Sequence, residues 1–267
     1  VQDNQLVSIL GPSGSGKSTL LQIIGLLLKP DSGSIELNGT HYSSLKEREL
    51  AQFRNNELGF VFQFHNLMGE FTCAENIKMP LYIREKNLSE EQEIYFEEII
   101  KTYRLHPEAL GVGGYINNEV QWTFAGENYQ PDSTEFYYDG WKRKDGSRFV
   151  LRKKLGLDAN RPPGFLPEFS NGRSIGFLPP SGKIYEVEQL MGGVSSFKKS
   201  VFTTFQFSTY FEGYGLYEDA DFTLRLSKTG KLYVNTNAQL GHFHDHSGRP
   251  NQYQYGKMVV RNGWYVW

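Results

Sequence analysis

The chain has 267 residues, of which 39% are hydrophobic and 22% are charged. This composition is typical of a globular protein that can bury a core, organised as one large domain or two smaller ones. The formal net charge of −2 excludes a general electrostatic attraction to nucleic acid, so we expect no nucleic-acid partner.

A glycine-rich loop follows the first apolar run of the chain. Residues 5–10 predict a short strand, and the apolar residues after the loop predict a helix packed against a sheet. Glycines let consecutive backbone N–H groups turn toward phosphate oxygens, and the helix directs its positive end at the same charge. Lys17 would reach the outer phosphates and the Ser18 hydroxyl would ligate Mg²⁺. The alternative is a turn of small residues that caps a helix. The predicted phosphate-binding residues are Gly11, Ser13, Gly14, Ser15, Gly16, Lys17, Ser18 and Thr19.

The most apolar stretch of the sequence, residues 20–28, is too short to span a bilayer and is interrupted by Gln22 and Gly25. We therefore expect no transmembrane segment. A single cysteine excludes an internal disulfide and fits a reducing compartment. The sequence thus predicts a cytoplasmic protein, and attachment to the inner face of the membrane through a partner stays open.

The first third of the chain resembles the nucleotide-binding domain of ABC transporters, in particular the lipoprotein-release and macrolide-export branch. The resemblance rests on the glycine loop, on the turn and strand of residues 28–39, and on the segment Gly59-Phe60-Val61-Phe62-Gln63. It implies ATP with Mg²⁺ as cofactor, contact of Gln63 with Mg²⁺ and the attacking water, and a membrane transporter subunit as partner. Further along we find no Leu-Ser-Gly-Gly-Gln signature and no apolar strand that ends in Asp-Glu. A site for phosphoryl transfer needs metal ligation, water positioning and charge neutralisation together, so the ATPase site is predicted to be incomplete.

The helical pattern of residues 89–104 ends near His106, and short aromatic strands with Gly- and Pro-rich loops follow. We therefore predict two domains, 1–105 and 106–267. In the second, residues 110–116 predict a strand of small residues. Residues 135–138 and the segment from Trp141 onward predict a hairpin that turns at Asp139-Gly140. Residues 160–183 predict a long loop.

Two segments of the second part carry candidate chemistry. Met191-Gly192-Gly193 and the later Glu218-Asp219 resemble the acceptor half of family 2 glycosyltransferases of the GT-A fold. An acceptor hydroxyl becomes a good nucleophile when a positioned carboxylate takes its proton. The resemblance implies that Asp219 is this base, that Glu218 orients a glycan acceptor, and that the anomeric carbon is inverted. The alternative is a group of acidic residues in the first turn of a helix, where the helix dipole favours them.

Alternating histidines near the carboxyl end suggest a metal site, because neutral imidazoles are good ligands for a divalent ion. By the same resemblance His244, and then His242, would bind Mn²⁺ or Mg²⁺ beside a nucleotide-sugar; a solvated histidine-rich loop is the alternative. A basic cluster accompanies aromatic residues between positions 142 and 154. It predicts either a solvated face or a site for a diphosphate, an anionic glycan or a membrane surface.

The predicted fold class is α/β: a partial P-loop NTPase (ABC) fold followed by a partial GT-A (Rossmann-like) glycosyltransferase fold. The part of a GT-A enzyme that binds the sugar nucleotide has no counterpart in the sequence. Three hypotheses remain open. The chain is a hybrid of two incomplete families, produced by gene fusion or by an artefact of assembly; it is a nucleotide-phosphate-binding module without catalysis; or it is a working transferase in which the ATPase-like strands replace the missing donor half.

Overall fold

The structure is a computed structural model, and it divides into two compact units, Val1–Asn87 and Leu88–Trp267. The residues it describes are 7–37, 39–42, 45–60, 67–72, 74–76, 78–79, 82, 88–167, 172–211, 215–241 and 251–266. Within these ranges no helix is both long and apolar enough to cross a bilayer.

The described part of the first unit includes two complete helices and a small hairpin, and residues 74–76, 78–79 and 82 are also helical. Helix α1 covers Lys17–Ile24, strands β1 (Glu36–Leu37) and β2 (Thr40–His41) pair antiparallel, and helix α2 covers Glu47–Glu57. Its buried core consists of Leu26, Tyr42 and Leu50. This core is small, so the hydrophobic effect contributes less here than in the second unit.

Helix α1 forms where the sequence predicts it, but its predicted packing against a sheet is wrong for the described part of the chain. No residue of α1 is buried, and Leu20, Leu21 and Ile24 are 45%, 56% and 42% exposed. Residues 7–10, from the predicted strand before the loop, lie in no strand, and residues 5 and 6 are outside the described ranges. The physical reason is that the described strands of this unit, β1 and β2, are two residues long and pair with each other.

The second unit is organised around a four-stranded sheet. Its strands are β3 (Gly111–Ile116), β7 (Ile184–Val187), β8 (Ser195–Phe197) and β9 (Leu232–Leu240), in the order β7-β9-β3-β8. Strands β3 and β9 run parallel, and β7 and β8 pair antiparallel with their neighbours. Buried residues of β3 and β9 contribute to hydrophobic clusters on the sheet. This sheet is the scaffold on which the second candidate site is built.

The glycines of β3 allow a close approach of neighbouring elements. A Cβ on Gly114 would clash with the ring of Tyr95 and lie 2.7 Å from the carbonyl oxygen of Ala238. A side chain at this position would therefore push the sheet away from the helix of Glu90–Leu105, to which Tyr95 belongs. The predicted strand of small residues is confirmed, and this packing explains its composition.

Helix α3 (Glu90–Leu105) belongs to the second unit, because Tyr95 and Ile99 pack in a cluster with Val112 of β3 and Tyr233 of β9. Its start is fixed by the Ser89 side chain, which accepts a hydrogen bond from the backbone N–H of Gln92. The contacts therefore separate two compact units at 87/88. The change in composition near His106 coincides with the end of α3, and the domains 1–105 and 106–267 stay a prediction.

A second, three-stranded sheet has the order β4-β6-β5, with β4 at Thr123–Phe124, β5 at Glu135–Tyr138 and β6 at Trp141–Lys144. The predicted hairpin is confirmed: Tyr138 pairs with Trp141 across a two-residue turn. Asp139 and Gly140 have φ values of 49° and 82°, the left-handed pair that a tight hairpin turn requires.

Helices α4 (Ser147–Lys154), α5 (Glu218–Ser227) and α6 (Gln252–Val266) complete the second unit. The predicted long loop contains a single 3₁₀ turn at Ile175–Phe177 among its described residues. The buried Arg173 fixes this loop, because its guanidinium pairs with Asp145 and Asp158.

Candidate functional site

The glycine-rich loop of the first unit has the backbone that a phosphate cradle needs. Gly14 and Gly16 adopt φ values of 79° and 83°, a region that residues with a side chain rarely occupy. Gly11 lies close beneath the loop, since a Cβ there would be 2.8 Å from Ser15 Oγ. Gly16 is the N-cap of α1, so the loop leads directly into the positive end of the helix.

The Lys17 ammonium lies over its own loop. Lys17 Nζ donates to the carbonyl oxygens of Gly11 (2.9 Å) and Pro12 (2.6 Å) and to Ser15 Oγ (3.2 Å). The ammonium therefore occupies the mouth of the loop, and carbonyl oxygens stand in for the acceptors that phosphate oxygens would provide. A triphosphate would compete for the same three donors.

The remaining predicted residues of this loop are accessible. Ser13, Ser18 and Thr19 are exposed, and Ser18 is the second residue of α1. A hydroxyl at this position is a suitable oxygen ligand for Mg²⁺ held between phosphates and protein. Loop and hydroxyl together fit a nucleotide with Mg²⁺. Gln63, the second predicted Mg²⁺ contact, lies outside the described residues.

In the second unit, the structure brings the two predicted segments together. Gly192 begins a 3₁₀ turn, and its backbone N–H donates to Asp219 Oδ2 over 3.1 Å. The other carboxylate oxygen of Asp219 accepts from the N–H of Ala220 at 2.8 Å. Each oxygen keeps a free lone pair, so the carboxylate is oriented and can still accept a proton.

Helix α3 holds the strand that leaves this turn. The Tyr95 hydroxyl donates to the carbonyl of Val194 at 3.0 Å, and the Tyr103 hydroxyl donates to that of Ser196 at 2.8 Å. Burial raises the pKa of Tyr95 to about 12, so this hydroxyl remains a donor at all physiological pH values. The turn that fixes Asp219 is thus anchored through the core of the unit.

The three acidic residues at the start of α5 have different environments. Burial, and next the carboxylate of Asp219, raises the pKa of Glu218 above its ordinary value. Asp221 is buried and receives hydrogen bonds from Arg225 Nε (3.0 Å) and Nη2 (2.6 Å). Asp221 therefore forms a structural ion pair with Arg225. Glu218 and Asp219 have no cationic partner among the described residues.

The start of α5 also contains an unusual backbone conformation. Tyr217, its N-cap, has a φ of 72°, which is rare for a residue with a side chain. All three acidic residues lie in the first helical turn, as the alternative interpretation of the sequence expected. The helix dipole and a proton-accepting role are compatible, because the dipole stabilises the ionised carboxylate.

Two further predicted features have different outcomes. His242 and His244 lie outside the described residues, and among the residues that are described no cluster of His, Cys, Asp and Glu could hold a metal ion.

Much of the basic cluster is engaged within the protein: Lys142 pairs with Glu135, and Lys153 with Asp145. No local pattern indicated the ion pairs of Arg173, whose partners lie 28 and 15 residues away in the sequence.

Comparison with known proteins supports the predicted family resemblance of the first part of the chain. Residues 1–122 match the family model described as ABC transporter, a match that extends past Asn87 into the second unit. The chain is 54% identical over 83 residues to the lipoprotein-releasing system ATP-binding protein LolD of Bacteroides fragilis, which is 31% of this chain and 38% of the relative. It is 45% identical over 106 residues to the same-named protein of Desulfotalea psychrophila, which is 40% of this chain and 47% of the relative.

Residues 1–122 are therefore similar to the ABC transporter family, and the predicted resemblance is confirmed for this amino-terminal portion. The relatives it matches are ATP-binding proteins of lipoprotein-releasing systems, and the chain spans less than half of their length. None of these matches concerns a glycosyltransferase, so that part of the prediction stays a hypothesis.

Proposed function

We propose that the first unit binds ATP with Mg²⁺ as part of an ABC-type transporter. The observation that carries this proposal is the loop geometry, with left-handed Gly14 and Gly16 and with Lys17 over the loop mouth. Phosphate oxygens would replace the carbonyls of Gly11 and Pro12 as acceptors from Lys17. The backbone N–H groups would hold the same phosphates.

Binding, and not hydrolysis, is the proposed activity of this unit alone. Hydrolysis needs a group that positions water and further charge neutralisation, and the sequence after the loop contains no signature segment that would supply them. The relatives are ATP-binding proteins of lipoprotein-releasing systems, and by this similarity the nucleotide would serve such a system. The partner would be a membrane subunit of that system, which would hold the protein at the cytoplasmic face of the membrane.

The test is titration of the full chain with Mg²⁺-ATP, using Lys17→Ala and the matched variant Lys29→Ala. Lys29 is exposed in the turn after α1 and outside the loop. We expect Lys17→Ala to weaken binding by about tenfold or more, since a charge-assisted hydrogen bond is lost, and Lys29→Ala to have no effect. Equal affinities of the two variants would overturn the proposal.

We infer a second candidate function from the hydrogen bond between Gly192 and Asp219: the second unit is the acceptor side of an inverting glycosyltransferase. Asp219 would take the proton of an acceptor hydroxyl as its oxygen bonds to the anomeric carbon. The bond from that carbon to the nucleoside diphosphate would break, and the diphosphate would leave with the electron pair. Glu218 would orient the acceptor, and Mn²⁺ or Mg²⁺ would accompany the nucleotide-sugar.

This second function is tested by following release of nucleoside diphosphate from a panel of nucleotide-sugars with Mn²⁺ or Mg²⁺. Asp219→Asn should abolish release, because the amide cannot accept the proton. The same chemical change at Asp31, which is exposed in the first unit, should leave it unchanged. Release that survives in Asp219→Asn would exclude Asp219 as the base.

A further inference from the structure

A cavity of about 230 Å³ lies between α4, the loop that contains Ser174 and the start of α5. One water occupies about 30 Å³ of liquid, so the space accommodates a ligand of several water volumes. Ala220, which follows Asp219 directly, and Tyr217, two residues before Asp219, both line it. The cavity is thus a neighbour of the carboxylate assigned as base above.

Three polar side chains of the cavity wall make no hydrogen bond or ion pair within the described part of the protein: Arg148, Ser174 and Gln189. The Arg148 guanidinium only stacks on the Phe149 ring, with its carbon 4.8 Å from the ring centre. These side chains therefore offer a charged fork, a hydroxyl and an amide to one space.

Arg148 is the cation of this region that lines the cavity. Lys142, Lys153 and Arg173 each have a carboxylate partner. The pKa of Arg152 is lowered from its ordinary value chiefly by burial, and repulsion from Arg148 adds to this shift. Among the described residues Arg148 has no carboxylate within ion-pair distance, and its positive charge would attract an anion.

The rest of the wall is partly aromatic. Phe149, Phe177 and Tyr217 line the cavity beside the polar residues. Flat apolar faces next to hydroxyl and amide groups suit a ring that has one apolar face and several hydroxyls, which is the surface of a pyranose.

We propose that this cavity binds a sugar ring bearing an anionic substituent, with Arg148 paired to the anion and with Ser174 and Gln189 on the ring hydroxyls. A carboxylate or a phosphate has the required charge and planar or forked acceptors. The inference rests on the second proposed function, for which it names the acceptor class: an acidic sugar.

The experiment is ligand-observed NMR titration of the full chain with glucuronate, glucose 6-phosphate, glucose and inorganic phosphate. The expected result is that both acidic sugars bind about tenfold more tightly than glucose or phosphate alone. Arg148→Gln should remove this preference. Lys144→Gln, the same charge change at an exposed residue of β6 away from the cavity, should preserve it.

Three results would overturn the proposal: equal binding of glucose and glucuronate, phosphate alone binding as tightly as glucose 6-phosphate, or equal losses in Arg148→Gln and Lys144→Gln. Asp219→Asn should retain glucuronate binding, because the Asp219 carboxylate is not part of the cavity wall. Absent binding would therefore refute the cavity assignment alone, and absent transfer with binding intact would refute the role of Asp219.

Discussion

Replacing Arg173 by Met should destabilise the second unit more than any other single loss of charge described above. Arg173 is 2% exposed, and its guanidinium donates to both oxygens of Asp145 at 2.8 and 3.1 Å and to Asp158 at 3.0 Å. The Asp145 side chain is fully buried. Removing the guanidinium leaves this carboxylate with Lys153 as its remaining cation, at 2.8 Å.

The expected loss of unfolding free energy in Arg173→Met follows from this partial loss of partners. Removing one partner of a buried ion pair costs about 3–5 kcal/mol, and the remaining Lys153 places Arg173→Met near the lower limit. For a unit of this size, about 3 kcal/mol corresponds to a fall in Tm of roughly 10 °C. The stability of Arg173→Lys should lie between that of the wild type and that of Arg173→Met. The lysine keeps the charge but loses the planar guanidinium that donates two hydrogen bonds to Asp145.

Tryptophan fluorescence during urea unfolding measures this effect in the right unit, because Trp122, Trp141, Trp264 and Trp267 all lie beyond Asn87. The matched control is Arg104→Met, on the exposed side of α3, which should change stability by less than about 0.5 kcal/mol. The double variant with Asp145→Asn should cost less than the sum of the two single changes, because the buried charge is removed with its partner. The reasoning fails if Arg173→Met lies within about 1 kcal/mol of the wild type.

Two further substitutions test the packing and the electrostatics of the same unit. Gly114→Ala should destabilise it by about 1–3 kcal/mol in the same urea assay, because the new methyl group would clash with the Tyr95 ring, while Gly193→Ala, where the added Cβ meets nothing, should not. Glu218→Gln should raise Tm at pH 7 and not below pH 4.5, the ordinary pKa of the group. Since burial and Asp219 raise the folded-state pKa, the wild type loses stability as the pH rises through that value; a constant Tm difference across this range would contradict the assignment.

Local signals in the sequence predicted much of the second unit. Ser89 and Gln92 mark the start of α3, and Asp139-Gly140 supplies the two left-handed residues of the hairpin turn. These features are readable because cap and turn chemistry depends on residues a few positions apart. The acidic first turn of α5, which the sequence offered as an alternative interpretation, is readable for the same reason.

Contacts between distant segments could not be predicted in this way. No local feature indicates that β3 pairs parallel with β9, which lies more than a hundred residues later. The pairing of Arg173 with Asp145 also depends on tertiary packing. The hydrogen bond between Gly192 and Asp219 likewise joins segments 27 residues apart, which spacing alone does not connect.

The two proposed sites differ in how much buried core surrounds them and fixes their geometry. Asp219 is held by a backbone N–H in a unit with an extensive core, so its geometry is set before any ligand binds. The phosphate loop leads into α1, which buries none of its residues, so the loop is shaped mainly by its glycines and by Lys17. Any adjustment of the loop when ATP binds would consume part of the binding free energy. We therefore expect any weakness of the first site to come from poor preorganisation of its loop.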